Sequence, residues 1–239
     1  MEASAACRPA FFQKPLHSED AYGIITMYYY VKAVQQMKIE LLCRGMVESN
    51  CYALVDGDEA VLVDAGAHPD DIASALEKRG LKVKAILLTH GHFDHILGAE
   101  AISGRYDVPV YIHANDEEML SDGYKNAYSV FFGGQWGEFH DAKVFEGGDR
   151  LSFFGEEIEV IHTPGHSEGS VCFKWRNNLF TGDTIFSRGT GRCDLYSGDT
   201  DKIRASIASF DNLPSNMTIY PGHGIACPLG EAMKYARLI

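Results

Sequence analysis

The sequence predicts an α/β protein built as a four-layer αββα sandwich. Short apolar runs typical of strands are followed by segments with helical spacing, and this order occurs in both halves of the chain. Two sheets that bury one face against each other and carry helices on the outside satisfy this pattern. The length of 239 residues and the hydrophobic fraction of 46% are ordinary for a globular domain with a large core.

The first half of the predicted sandwich begins with a β-hairpin. Apolar runs at residues 51–55 and 60–63 are separated by an Asp-Gly pair, which is a strong hairpin signal. A helix is predicted over residues 69–80, because it starts with a proline, has apolar residues at helical spacing and ends at a glycine. The continuous apolar run at residues 83–88 predicts a strand that is covered on both faces.

The remaining elements alternate in the same way. Residues 121–148 are predicted to form a loop excursion, because this stretch is rich in glycine and aromatic residues and shows no period. The other predicted helices cover residues 98–106, 116–120, 201–210 and 231–238, and the other predicted strands cover residues 110–112, 151–153, 158–161, 171–175, 178–180 and 218–220.

The composition of the chain changes near its thirty-seventh residue. Residues 1–36 mix proline, histidine and acidic residues without a period, which predicts an N-terminal extension that is disordered or packed on the surface. Residues 37–239 are predicted to form the compact, functional domain.

Charge and cysteine content narrow the classes of function. The formal net charge of −12 argues against binding of nucleic acid and of anionic membranes, since both depend on Lys and Arg. No apolar run is long enough to span a membrane, and no secretory signal is visible. The six cysteines are scattered, which favours reduced thiols. We therefore expect a cytoplasmic protein that acts on a small molecule.

Metal-binding residue types cluster directly after a predicted buried strand. Residues 89–95 read T-H-G-H-F-D-H and offer His90, His92, Asp94 and His95. Strand ends are where α/β scaffolds present functional groups. His90 and His92 can point to one side of the loop, and Asp94 and His95 can point to the other once the loop bends. The segment can therefore supply ligands to two metal ions.

Three later residues of the same types also follow predicted strands. His166 lies in T-P-G-H-S-E-G, Asp183 in T-G-D-T and His223 in P-G-H-G. A single histidine near a strand end is more often a structural polar group, and an aspartate after glycine is more often a turn former. The repetition of the pattern at three strands instead predicts that these residues converge on one metal site.

In these motifs the sequence resembles the metallo-β-lactamase superfamily, and within it the glyoxalase II-like hydrolases. The resemblance rests on the T-H-G-H-F-D-H run and on the three later motifs, and it covers residues 38–239. It implies the metallo-β-lactamase fold, which is an αββα sandwich, and a centre with two divalent metal ions. The implied ligands are His90, His92 and His166 for one ion, Asp94, His95 and His223 for the other, and Asp183 as the bridge.

The resemblance also implies a reaction. A hydroxide that bridges the two ions attacks a thioester, with Asp94 and Asp183 as the catalytic carboxylates. Imidazole and carboxylate ligands suit zinc, iron or manganese, and zinc is the expected metal.

The loop after Asp183 resembles the substrate side of the same hydrolases. Arg192 stands where that group tends to carry a basic residue near the substrate's carboxylate, and Tyr196 is a second expected substrate contact. A surface salt bridge is the alternative interpretation of Arg192. Full-length glyoxalase II enzymes have a helical C-terminal region that binds glutathione, whereas only 16 residues follow His223. We therefore expect thioester hydrolysis without that glutathione anchor.

Two other functions remain open at this stage. A mononuclear iron persulfide dioxygenase is one alternative, because the chain resembles that group in the G-R-x-D stretch at residues 191–194. A lactonase, or another ester or amide hydrolase of the same fold, is the other. A binding protein that has lost catalysis is disfavoured, since such a relic is expected to lack a ligand and all seven are present.

Overall fold

A computed structural model describes residues 37–238 as two six-stranded β-sheets that carry helices on their outer faces. Residues 1–36 and Ile239 lie outside the described residues. The N-terminal extension and the domain boundary at residue 37 therefore stay predictions.

The first sheet contains strands in the order in which they occur along the chain. They are β1 (Lys38–Arg44), β2 (Asn50–Asp56), β3 (Glu59–Val63), β4 (Lys82–Leu87), β5 (Val110–His113) and β6 (Lys143–Phe145). The first three are antiparallel, and β3 to β6 are parallel. The β2–β3 hairpin turns at the predicted Asp-Gly pair, where Gly57 adopts a φ of 63° that favours glycine.

The strands of the second sheet are β7 (Arg150–Phe153), β8 (Glu156–His162), β9 (Val171–Trp175), β10 (Asn178–Gly182), β11 (Thr218–Pro221) and β12 (Cys227–Pro228). They lie in the order β12-β11-β10-β9-β8-β7. All neighbours are antiparallel except β10 and β11, which are parallel. The carboxyl ends of this pair therefore meet at one edge of the sheet.

The helices of residues 37–238 are α1 (Pro69–Arg79), α2 (Phe93–Ile96), α3 (Ala99–Tyr106), α4 (Tyr128–Phe132), α5 (Thr200–Ser209) and α6 (Leu229–Ala236), with 3₁₀ turns at Met46–Glu48, Ala114–Leu120 and Phe210–Asn212. Helices α1 and α3 cover the outer face of the first sheet, and α5 and α6 cover that of the second. Helix α1 starts at the predicted proline and ends at Arg79, where the predicted Gly80 caps it with a left-handed φ of 64°.

Three layers of buried apolar side chains lie between the four layers of helices and sheets. Leu54 and Val61 of the first sheet pack between the sheets with Phe173 of the second. Ala53, next to Leu54 on β2, belongs instead to the layer under α1 and α3, because successive strand residues point to opposite faces. Leu179 belongs to the third layer, under α5 and α6. This arrangement confirms the predicted αββα sandwich.

The structure corrects the prediction in three places. Residues 121–148 contain helix α4 and strand β6, so they are more than a loop excursion. Strand β6 has only three residues, too few to show a period in the sequence. The segment predicted as a helix at residues 116–120 is part of a 3₁₀ turn, and strand β1 was not predicted.

The predicted absence of a membrane span and the predicted reduced thiols can be compared with the structure for residues 37–238 alone. None of the helices between residues 37 and 238 combines the length and the hydropathy of a transmembrane span. The five cysteines in this range are free thiols, although Cys43 and Cys51 face each other across β1 and β2.

Candidate metal centre

Four strand ends deliver the seven predicted ligands to one edge of the sandwich. The segment with four of them follows β4, and the other three follow β8, β10 and β11. Gly222, beside His223, donates its N–H to the Gly182 carbonyl at 2.7 Å, which fastens the loop after β11 to the loop that carries Asp183. The structure thus brings together all seven side chains that the sequence singled out.

Three histidines form a first group of facing nitrogen atoms. His166 Nε2 lies 3.2 Å from His90 Nε2 and 2.8 Å from His92 Nδ1, and all three side chains are buried. Nitrogen ligands at about 2.0–2.1 Å from a tetrahedral zinc ion are separated by roughly 3.3 Å. The spacing of this group is therefore close to that of three ligands to one ion.

Asp94, His95 and His223 form a second group. The Asp94 Oδ2 atom lies 3.2 Å from His223 Nε2 and 3.6 Å from His95 Nε2. Asp94 and His95 are buried, whereas the His223 side chain is 26% exposed. This group can also hold a cation, and it is open on the side of His223.

The Asp183 carboxylate lies between the two groups. Its Oδ1 atom is 3.4 Å from His95 Nε2. Its Oδ2 atom is 3.6 Å from His166 Nε2 and 3.5 Å from His223 Nε2. One carboxylate therefore faces nitrogen atoms of both groups, which is the position that a bridging ligand requires.

Hydrogen bonds orient four of the five imidazoles. In each of them the ring nitrogen remote from the cluster contacts an oxygen that can accept a hydrogen bond from its N–H, which leaves the Nε2 lone pair directed at the cluster. The pairs are His90 Nδ1 with Thr89 Oγ1 at 3.1 Å, His95 Nδ1 with Asp64 Oδ2 at 2.8 Å, His166 Nδ1 with the Arg192 carbonyl at 2.7 Å, and His223 Nδ1 with the Val47 carbonyl at 3.1 Å.

Buried polar atoms without a hydrogen-bond partner indicate whether these residues fit metal ions. His95 Nε2 and Asp183 Oδ1 are buried and have no hydrogen-bond partner. Buried polar atoms without a partner are rare in native proteins and call for an explanation such as an ion. A divalent cation would supply the partner that both atoms lack, so the donor set fits metal ions.

Charge within the cluster shifts the pKa values in opposite directions. Burial, reinforced by neighbouring imidazoles, lowers the pKa values of His90 and His92 well below the usual range. Burial also lowers the pKa of His95, but three surrounding aspartates outweigh it and raise that pKa to about 10. For Asp94 burial raises the pKa, and neighbouring histidines outweigh it and bring the pKa to about 2. The aspartates therefore favour a positive charge here, which a proton or a divalent cation can supply.

Sequence reasoning missed Asp64, which positions two parts of the centre. It follows β3, is buried, and accepts hydrogen bonds from Thr89 N, Thr89 Oγ1 and His95 Nδ1, each at 2.8 Å. Its φ of 59° is uncommon outside glycine but tolerated by aspartate. The sequence marks Asp64 only as the end of a strand, and the contact with His95 depends on the folded chain.

Asp116 was missed for the same reason. It lies in the 3₁₀ turn Ala114–Leu120 and is fully buried. Its carboxylate accepts hydrogen bonds from Gly91 N at 2.9 Å, Ser167 Oγ at 2.6 Å and Gly169 N at 2.7 Å. Gly91 lies between two predicted ligands and Ser167 follows a third, so Asp116 joins the two loops that build the first group.

A cavity of about 280 Å³ opens above the cluster. Its floor includes His92, Asp94, His166, Asp183 and His223. Its walls are mainly apolar, and they are formed by Val47, Phe93, Ala127, Phe131, Phe132, Phe186 and Leu195, together with Gly191 and Arg192.

The two predicted substrate contacts lie in different places. Arg192 lines the cavity, and its guanidinium makes two bonds to Asp194, at 2.6 and 2.8 Å. The guanidinium carbon also lies 5.7 Å from the centre of the Phe131 ring. Tyr196 is not among the described residues that line this cavity, because it faces a separate polar recess where its hydroxyl donates to Glu118. The structure therefore brings Arg192, but not Tyr196, to the centre.

The chain is similar to several known proteins. The family model of the metallo-beta-lactamase superfamily matches residues 44–223. The Bacillus subtilis (strain 168) protein YqgX, named a probable metallo-hydrolase, is 32% identical over 191 residues, which cover 79% of this chain and 90% of YqgX.

Two solved structures are similar over most of the chain. The crystal structure of BLEG-1 B3 metallo-beta-lactamase has a TM-score of 0.80 and 32% identity, and the match covers 84% of this chain and 99% of that one. The crystal structure of TTHA1623 in a di-iron-bound form has a TM-score of 0.72 and 33% identity, and the match covers 82% and 97%.

Proposed function

The chain belongs to the metallo-beta-lactamase superfamily, and on that premise we propose that it hydrolyses thioesters with two divalent metal ions. Its metallo-hydrolase relatives support a hydrolase that acts on a small molecule. The observation that carries the proposal is the position of Asp183, whose two carboxylate oxygens face nitrogen atoms of both ligand groups.

Each part of the cluster has a role in the proposed reaction. His90, His92 and His166 would hold one ion, and Asp94, His95 and His223 would hold the other, with the Asp183 carboxylate between the two ligand groups. When bound, such ions lower the pKa of water to about 7 and polarise a carbonyl group.

The carboxylates and the walls of the cavity contribute the remaining steps. Asp94, with a pKa of about 2, is ionised at neutral pH and can orient the attacking water by accepting a hydrogen bond from its O–H. Asp183 fixes the separation of the two ligand groups. Once a substrate fills the cavity, the apolar side chains around it exclude bulk water, which strengthens electrostatic interactions at the reacting carbonyl.

Two features favour thioester hydrolysis over the alternatives. The described residues that line the cavity include no serine, cysteine or lysine, so an activated water is a better nucleophile here than a side chain. The second ligand group is complete, which favours two ions over the single iron of a persulfide dioxygenase. The motif resemblance to glyoxalase II-like hydrolases supports the thioester.

The proposal also includes a metal and a compartment. Zinc is the first metal to test, because imidazole and carboxylate ligands suit it, and manganese(II) is tested for the same reason. Iron(II) is tested as well, because TTHA1623 is described in a di-iron-bound form. The cytoplasm is the proposed location, which the free thiols of the described cysteines support.

Metal analysis with a substrate panel tests the proposal. The purified full chain is analysed for bound elements and assayed with a glutathione thioester, a simple acyl thioester, a lactone and a persulfide, the last in an oxygen electrode. We expect two metal ions per chain and the highest kcat/KM with a thioester. One iron per chain with oxygen uptake on the persulfide would refute the proposal, and so would hydrolysis of the lactone alone.

A further inference from the structure

We propose that the cavity above the cluster selects thioesters with a neutral, apolar acyl group. The inference rests on the proposed function and names the substrate class of the same site. It follows from three properties of the cavity, namely the composition of its walls, its charge and its volume.

Several apolar side chains in the walls of the cavity are exposed to solvent. Phe131 and Phe132 of helix α4 are 50% and 49% exposed, and Val47, in the turn between β1 and β2, is 63% exposed. Large apolar side chains that remain exposed together mark binding surfaces. These three residues lie beside the predicted metal ligands, so an apolar group bound against them is adjacent to the reacting centre.

The walls of the cavity, unlike its floor, offer no net charge to a charged acyl group. Outside the cluster, Arg192 is the single charged side chain among the described residues that line it. Asp194 already binds the guanidinium through both carboxylate oxygens. A carboxylate or ammonium on the acyl group would lose water without gaining a partner, which is unfavourable in an apolar site.

The floor and the volume decide which end of the thioester enters. The carbonyl group must reach the cluster, so one substituent of the thioester fills the cavity and the other points outward. A tripeptide thiol such as glutathione carries several charges, which the apolar walls would leave unpaired. The volume of about 280 Å³ is near the lower limit of roughly 300–1,000 Å³ for small-molecule sites, and it suits a single acyl chain.

A series of thioesters of one neutral thiol, N-acetylcysteamine, tests the inference on the metal-loaded full chain. Burial of one methylene is worth a factor of about four. We expect kcat/KM to rise at least tenfold from acetyl to hexanoyl, and the succinyl thioester to fall at least tenfold below the butanoyl one. Equal kcat/KM values along the chain series, or a succinyl value that matches butanoyl, would overturn the inference.

Helix α4 provides matched variants for this series. Phe131→Ser and Phe132→Ser each remove a wall of the cavity, and we expect the ratio of hexanoyl to acetyl kcat/KM to fall at least fivefold. Val130→Ser is the control, because Val130 is equally exposed, at 52%, on the same helix but does not line the cavity. Its ratio should equal that of the unmodified chain, and equal losses in all three variants would contradict the inference.

Binding of thioethers separates this inference from the proposed reaction. S-hexyl- and S-ethyl-N-acetylcysteamine cannot be hydrolysed, and their affinities can be measured by calorimetry. If thioesters are hydrolysed without any preference for chain length, the inference fails and the hydrolase proposal stands. The opposite result is that no thioester is hydrolysed, but the S-hexyl compound binds at least tenfold tighter than the S-ethyl compound and loses this advantage in Phe132→Ser. The hydrolase proposal then fails and the apolar selectivity of the cavity stands.

Discussion

The buried carboxylate of Asp116 allows a sharp test of how the centre is positioned. Its Oδ1 accepts from Gly169 N, and its Oδ2 accepts from Gly91 N and Ser167 Oγ. The substitution Asp116→Asn keeps the shape of the side chain but replaces one acceptor oxygen with an NH₂ donor. In either orientation of the amide, the N–H of Gly91 or of Gly169 loses its acceptor and faces a donor.

The size of the effect follows from these three bonds. A buried donor left without a partner costs about 1–3 kcal/mol, and each hydrogen bond to a charged group contributes about 1.5–3 kcal/mol. We therefore expect Asp116→Asn to lower the free energy of unfolding by about 2–4 kcal/mol. Because Asp116 fixes the loops that carry His90, His92 and His166, metal affinity should fall by about 10–100-fold.

Two measurements check the Asp116 prediction. Urea denaturation of the metal-depleted protein gives the free energy of unfolding, and competition with a chromogenic chelator gives the metal affinity. Glu117→Gln is the control, because Glu117 is the exposed neighbour in the same 3₁₀ turn. If Asp116→Asn matches the control in both measurements, the positioning role assigned to Asp116 is wrong.

Three further predictions concern the cluster and its surroundings. Asp183→Asn should lower bound metal below two ions per chain and kcat at least a hundredfold, as elemental analysis and thioester assays would measure; two bound ions with a normal rate would contradict the bridge. Asp194→Asn should free Arg192 and raise kcat/KM for a succinyl thioester several-fold relative to butanoyl, and an unchanged ratio would show that Arg192 does not reach the substrate. Gly222→Ala should weaken metal binding, since the added Cβ would lie 2.2 Å from Asp183 Oδ1. Gly104→Ala is the control, because its Cβ would have no atom within 4 Å, and it should keep the metal affinity and raise the free energy of unfolding by about 0.5–1 kcal/mol. Equal metal affinities in the two variants would refute the close approach.

The sequence predicted the features that short segments encode. The Asp-Gly turn of the β2–β3 hairpin and the proline and glycine at the ends of α1 each act within a few residues. The seven ligand-type residues were also recognisable, because each follows an apolar strand in a Gly- or Pro-containing turn. Their convergence followed from the general rule that loops at one sheet edge meet.

Features that depend on distant neighbours were not predictable in this way. Asp64 and Asp116 act on loops that lie 25 or more positions away in the chain, and their local sequence is that of ordinary strand and turn residues. Tyr196 illustrates the reverse case, since it is close in sequence to the centre but faces another recess. The apolar walls above the cluster come from several separate segments, so no single motif announces the cavity.

Stepwise metal loading tests the central claim most directly. Metal-depleted protein is titrated with zinc, and separately with iron(II), while the hydrolysis rate of a neutral acyl thioester is followed. The account predicts that the rate rises until two equivalents are bound and that Asp183→Asn fails to show this saturation. A rate that is complete at one equivalent, with no change on addition of the second, would contradict it.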